Sequence, residues 1–290
     1  MASEGSLSLD GPFWRALAQW GSSGPEWFVR LSPPVVGIIA CGIAAERRQR
    51  VLHNLRRVRG ERSALRDAVD VAHTFATYAS CLAEALGAGS TRGRLPEAVI
   101  CGEPHLQDAL GGGRGVLLAT AHTAGWEAVG PLLSRDKALR VMIAERAEPD
   151  VAVRAIQDEA RKAHGLLVAH VGEDPLSALP LAKHLRDGGV VALQIDRVPR
   201  GLRSRDVTMF GAPGRVPEGP LRLAMLTGAP VVPVFAARTG HRRYEIVIHS
   251  PIHLARTAAA AEIDAAAQRL ADAMEGFVRA HPTQWFDFRE

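Results

Sequence analysis

Residues 115–127 read GVLLATAHTAGWE. The first six form an uncharged apolar run, the texture of a strand buried on both faces of a sheet. His122 and Glu127 follow directly, as H-x-x-x-x-E. Similar runs recur downstream: RVMIA (140–144), LLVAH (166–170), VVALQI (190–195), VVPVFA (231–236) and YEIVIH (244–249). Helical periodicity falls between them at 126–135, 150–164, 176–187 and 218–228, and a last helix is predicted over 260–280. This alternation predicts an α/β fold with a mixed, mostly parallel sheet flanked by helices. Open sheets of that kind place their sites beyond the carboxyl ends of the strands, where the His–Glu pair stands.

Upstream the texture changes. Phe13, Trp14, Trp20, Trp27 and Phe28 crowd one short stretch, Pro33-Pro34 follow, and Val35 to Ala45 form an apolar run of 11 residues. That run is too short to span a bilayer. Next comes ERRQRVLHNLRRVRGER (46–62), with seven arginines against two glutamates. Aromatics, a short apolar helix and a basic block together predict a helical segment lying in the membrane interface. Leu65, Val69, Ala72, Phe75, Ala76, Leu82 and Leu86 then repeat at helical spacing until Gly87 and Gly89. With no linker or internal repeat after it, the chain divides into a tail and membrane-associating helices (1–62) and an α/β domain (63–290).

Composition narrows the class further. Of 290 residues, 47% are apolar and 23% charged, which excludes disorder and a polytopic membrane protein. The net charge of +4 rests almost wholly on arginine. Nucleic acid is set aside because the chain shows no recognition module. Cys41, Cys81 and Cys101 are widely spaced and form no C-x-x-C, so neither a disulfide framework nor a zinc site is expected. The first residues lack the basic start of a secretory signal. A reducing compartment follows: cytosol, or the cytosolic face of a membrane. G-x-S-x-G, H-E-x-x-H, the P-loop and the EF-hand are all absent. The glycines at 111–115 read as a tight turn.

A histidine is the usual base for deprotonating a hydroxyl near neutral pH, and a carboxylate on its other nitrogen fixes the tautomer. Five residues along a regular helix leave two side chains roughly 140° apart. His122 and Glu127 therefore meet only if His122 lies in the loop and Glu127 in the first helical turns. Chance alone supplies about one such match in a chain of this composition. Specificity comes from the pieces that follow: AERAEP (144–149), QIDRVPRG (194–201), MFGAPGRVPEGP (209–220), TGAPVVPVF (227–235) and HPTQWF (281–286). With Arg50-Val51-Leu52-His53-Asn54-Leu55, they resemble, in order and spacing, the lysophospholipid acyltransferase-like superfamily. The matching branch is the bacterial lipid A biosynthesis acyltransferases, related to the mycobacterial phosphatidylinositol mannoside acyltransferase.

That resemblance implies a membrane-associated O-acyltransferase. It would move an acyl chain from acyl-carrier protein or coenzyme A to a hydroxyl of a lipid or glycolipid, without metal or cofactor. It would sit peripherally on the cytoplasmic face of the inner membrane. His122 would be the general base and Glu127 its orienting acid. Arg146 would engage a phosphate or sugar, Glu145 and Asp196 would line the cleft, and Arg197 with Phe210-Gly211 would form the third binding block. Met209 replaces a phenylalanine common in that block, and FDFRE replaces an aromatic and basic tail. Trp285 and Pro282 are read as packing residues. Two other readings use the same residues: a lipid esterase or thioesterase with the same His–Glu pair, and a non-catalytic membrane-binding homologue.

Overall fold

The computed structural model describes residues 25–88, 96–126, 139–146, 161–162, 165–172, 174–199 and 201–288. Its main sheet has seven strands in the order β1 (Glu97–Cys101), β9 (Arg243–Ile248), β8 (Val231–Gly240), β2 (Val116–Thr120), β5 (Val190–Gln194), β3 (Val141–Glu145) and β4 (Leu167–His170). The pairings β8–β2, β2–β5, β5–β3 and β3–β4 are parallel. β9 runs antiparallel to β8, and β1 runs parallel to β9. The mixed, mostly parallel sheet is thus present, with all six expected strands in it.

Two features escape periodicity. β1 and the following α4 (Glu103–Gly111) are short, and β1 is a half-exposed edge strand. The hairpin β6 (Ser204–Met209) and β7 (Ala212–Pro217) forms its own two-stranded sheet, with prolines and charges interrupting any apolar alternation. The helices expected over 126–135 and 150–164 fall almost wholly outside the described residues.

Helices α5 (Leu179–Arg186), α6 (Gly219–Thr227) and α7 (Ala260–Ala280) cover one face of the sheet. Leu181, Leu185, Leu221, Leu270 and Met274 pack there against Leu117, Val191 and Phe235. On the other face Leu106 and Ala109 of α4 meet Val116, Leu118, Val190 and Val232. Burying each large apolar side chain contributes about 1.5–3 kcal/mol, which makes this two-sided core the main support of the strand ends.

The N-terminal part is helical: α1 (Glu26–Ile43), α2 (Ala45–Arg59) and α3 (Ala64–Ala88). α1 is longer than the apolar run suggests, because it passes through Pro33-Pro34. Each proline removes a backbone donor and disfavours a helix interior. Packed on α3, the helix continues through them. Gly37 marks the closest approach, where an added Cβ would lie 2.4 Å from the Phe75 carbonyl oxygen. Val29, Pro33, Gly37, Ala40 and Cys41 form the buried face. Trp27, Leu31, Val35, Ile38, Ile39 and Ile43 form the opposite one, each more than half exposed.

Much of the basic block serves the fold. Arg48 donates to the Cys41 and Gly42 carbonyls at the end of α1, at 2.6 and 3.0 Å. Arg56 and Arg59 pair with buried Asp67 at 2.9 and 3.3 Å, and Arg59 and Arg62 also reach Asp70. α2 docks on the α/β body through Asn54, which donates to the Asp287 carbonyl at 2.9 Å, and through its Val58 carbonyl, which accepts from Arg279 at 2.9 Å. Asn54 is the asparagine of the R-x-x-x-N-L segment.

Candidate active site

Strand register builds the site. Thr120 of β2 pairs with Gln194 of β5, and the Ile195 N–H donates to the Thr120 carbonyl at 2.8 Å. Two residues beyond each partner, His122 and Asp196 come together. His122 Nδ1 lies 2.9 Å from Asp196 Oδ1 and 3.1 Å from Oδ2. The β5–β3 register, continued by two residues, brings Glu145 level with Gln194. Three adjacent strands therefore carry His122, Asp196 and Glu145 at one end of the sheet, as the open-sheet rule requires.

The loop after β2 has a fixed shape. Gly125 has φ +82°, and an added Cβ there would lie 2.3 Å from the Tyr244 ring. Only glycine meets both demands. The C-terminal segment clamps the loop from the other side. Ala124 N–H donates to the Gln284 carbonyl at 2.9 Å, and Phe286 N–H donates to the His122 carbonyl at 2.7 Å. The Gln284 side chain in turn pairs with both backbone groups of Arg238, at 2.7 and 3.1 Å.

Trp285 does more than pack. Its indole Nε1–H donates to Asp196 Oδ2 at 3.2 Å. Arg197 holds the same segment, donating to the Phe286 carbonyl at 2.6 Å, with Nε 3.2 Å from Asp287. Phe286 and Phe288 then pack with Tyr78 on α3, at ring distances of 5.2 and 5.0 Å. Phe286 and Phe288 thus anchor the C-terminal segment on α3.

Electrostatics follow from this enclosure. The Asp196 carboxylate is fully buried, whereas His122 keeps 21% of its side chain exposed. Burial pushes the Asp196 pKa up. The charge and hydrogen bond of His122, the Arg197 guanidinium and the Trp285 indole outweigh it and hold the group at about 2. An ionised Asp196 accepts from Nδ1–H, so Nε2 carries the free lone pair (a tautomer assigned from the contact). The pair can accept a proton from a nearby hydroxyl and stabilise the imidazolium that results.

A second buried network supports the loop from behind. Glu84 of α3 accepts from Arg238 Nη2 at 2.7 Å and from the Tyr244 hydroxyl, and His241 Nδ1 stands 3.3 Å away. Burial and the Glu84 charge push the Tyr244 hydroxyl far above the ordinary phenol range, so it remains a donor. Burial, aided by Glu84, also pushes the neighbouring Cys81 thiol up to about 12, leaving it inert.

Glu127 lies outside the described residues. Arg146 is exposed, immediately after β3. Glu145 binds Arg161 and lies 3.9 Å from His170. Phe210 and Gly211 form the hairpin turn, both with positive φ. The Phe210 ring faces Trp285 at 5.8 Å, with the Arg57 and Arg279 guanidiniums at 5.6 and 5.7 Å from its centre. Sequence reasoning placed Asp196 only as a cleft-lining acid and gave Trp285 no chemical part. Their signal was positional: Asp196 stands as far past β5 as His122 stands past β2. Among the described residues no group of three or more His, Cys, Asp or Glu side chains is arranged to hold a metal.

Comparison with known proteins shows the family. The phosphatidylinositol mannoside acyltransferase of Mycobacterium tuberculosis is 31% identical over 196 residues, which is 66% of this chain and 59% of that protein. The chain thus matches about three fifths of that relative's length. The protein of the same description from Mycolicibacterium smegmatis is 29% identical over 245 residues, 82% of this chain and 77% of its own. The crystal structure of a 1-acyl-sn-glycerophosphate acyltransferase from Thermotoga maritima aligns with a TM-score of 0.40 and 15% identity, over 92% of this chain and 98% of that one. That likeness is loose, and the architecture stands on the strand order above. A profile described as bacterial lipid A biosynthesis acyltransferase matches residues 12–290, and the chain belongs to that family.

Proposed function

We propose that the protein is an O-acyltransferase that moves an acyl chain from an acyl thioester to a hydroxyl of a glycolipid of the phosphatidylinositol mannoside or lipid A kind. The observation that carries this reading is His122 held by buried Asp196, itself held by Trp285. His122 Nε2 takes the acceptor's hydroxyl proton, and the oxygen attacks the thioester carbonyl carbon. The tetrahedral intermediate collapses, the C–S bond breaks, and the imidazolium returns its proton to the departing thiolate. No covalent enzyme intermediate is needed, so donor and acceptor bind together.

The orienting role given to Glu127 falls to Asp196 in this mechanism. Arg146, beside Glu145 after the end of β3, meets a phosphate or sugar of donor or acceptor in this reading. Arg197, Phe210 and Gly211 act through the frame, by holding the C-terminal segment and Trp285. The donor is coenzyme A or acyl-carrier protein.

The membrane is reached through α1. It is the one helix among the described residues long and apolar enough to cross a bilayer by length and composition. With one face packed on α3, it lies on the cytoplasmic surface of the inner membrane instead, its apolar outer face in the lipid. The three free cysteines suit that compartment. Steady-state kinetics with a long-chain acyl-coenzyme A and a phosphatidylinositol mannoside test the reaction. Intersecting double-reciprocal plots are expected; parallel plots and a trapped acyl-enzyme would contradict it.

A further inference from the structure

Acyl transfer through a tetrahedral intermediate needs a hydrogen-bond donor for the oxygen on which negative charge develops. The loop beside His122 offers little. The amides of Thr123, Ala124 and Trp126 donate to the carbonyls of Ala121, Gln284 and Thr123. The Trp285 indole is engaged by Asp196, and Arg197 by the Phe286 carbonyl and the Asp287 carboxylate.

Two buried donor atoms close by lack a hydrogen bond: Arg197 Nε, which is held in the Asp287 ion pair, and an amide that pairs with no charge. The side-chain Nε2 of Gln194 is buried and has no hydrogen-bond partner among the described residues. A buried amide left unpaired costs stability. Its position gives a reason for keeping it. Gln194 is the last residue of β5, in register with Thr120. It stands two residues before Asp196, about 7 Å back along an extended chain. His122 lies two residues beyond its partner Thr120. Gln194 thus stands one row below the His122–Asp196 pair in the strand register.

We propose that Gln194 is a catalytic residue, its amide donating to the thioester carbonyl oxygen and to the oxyanion that forms there. This rests on the acyl-transfer reading above. As the acceptor oxygen bonds to the carbonyl carbon, the C=O π pair moves onto oxygen and meets the Gln194 N–H. As the intermediate collapses, that pair reforms the carbonyl and the thiolate leaves.

The test compares wild type, Gln194→Leu and Asp196→Asn, using a long-chain acyl-coenzyme A with a phosphatidylinositol mannoside. Thermal melting is followed alongside. Gln194→Leu removes the unpaired amide and keeps an apolar volume, so its melting temperature is expected to equal or exceed that of wild type. Its kcat is expected to fall roughly 10²–10³-fold, with donor KM changed less than threefold. A structural glutamine would lose stability and activity together, and that result would overturn the proposal. So would turnover within threefold of wild type. If wild type itself shows no transfer that Asp196→Asn abolishes, the acyl-transfer reading fails, and the donor assignment with it.

Discussion

At the scale of single residues, the proposed chemistry rests on Asp196. A buried carboxylate is costly unless paired and hydrogen-bonded, and here two donors meet it. Asp196→Asn keeps the shape but presents an amide N–H or a weaker acceptor to Nδ1. The imidazole then loses its fixed tautomer, and kcat is expected to drop roughly 10³–10⁴-fold with the fold intact. Single-turnover acyl transfer and circular dichroism check both halves. Acidity offers a second check. The folded pKa of about 2 lies below the ordinary carboxylate value of about 3.9. The ionised form therefore contributes stability fully above that ordinary value, and loses it as pH falls through the folded one. Acid melting curves between about pH 4 and 2 should be shallower for Asp196→Asn than for wild type. An equal slope would mean that the carboxylate is not held as the geometry indicates.

At the scale of elements, the loop from Ala121 to Trp126 is shaped from both sides, by Tyr244 and by the Gln284–Phe286 segment. Gly125→Ala forces a left-handed backbone on alanine and drives its methyl into the Tyr244 ring. The expected result is a stability loss of about 1–3 kcal/mol and at least a tenfold loss of kcat, read by thermal melting and turnover. Unchanged turnover would show that His122 does not depend on the loop's path. How far such elements were legible differed with their physics. The strands announced themselves because burial on both faces demands unbroken apolar runs. The hairpin was silent because prolines and charges break its apolar alternation, although Val207, Met209, Phe210 and Val216 join the core. α1 was misjudged at Pro33-Pro34, where packing on α3 overrides a local rule. His122 was legible as a residue next to a strand end. Its partner was not, since Asp196 is 74 residues away and only the β2–β5 pairing brings it close.

At the scale of the whole molecule, a two-sided core holds a polar site at one end of the sheet, and three helices pack beside it. The outer face of α1 is apolar, while Arg48, Arg56, Arg57, Arg59 and Arg62 of the basic block are engaged within the fold. Membrane attachment should therefore depend more on burial than on charge. Ile38→Glu with Ile39→Glu is expected to cut sedimentation with phospholipid vesicles at least tenfold. Raising salt from 0.1 to 1 M should release little of the wild type, although such salt shortens the screening length to about 3 Å. Full release by salt would return the contact to the arginines. The most direct test of the central claim is mass spectrometry of membrane lipids from cells expressing this chain or its His122→Ala variant. A glycolipid heavier by one acyl chain, present with wild type and absent with the variant, is the result expected of a His122-driven acyl transfer. Free fatty acid rising with no acylated lipid would contradict it and make the same residues those of a hydrolase.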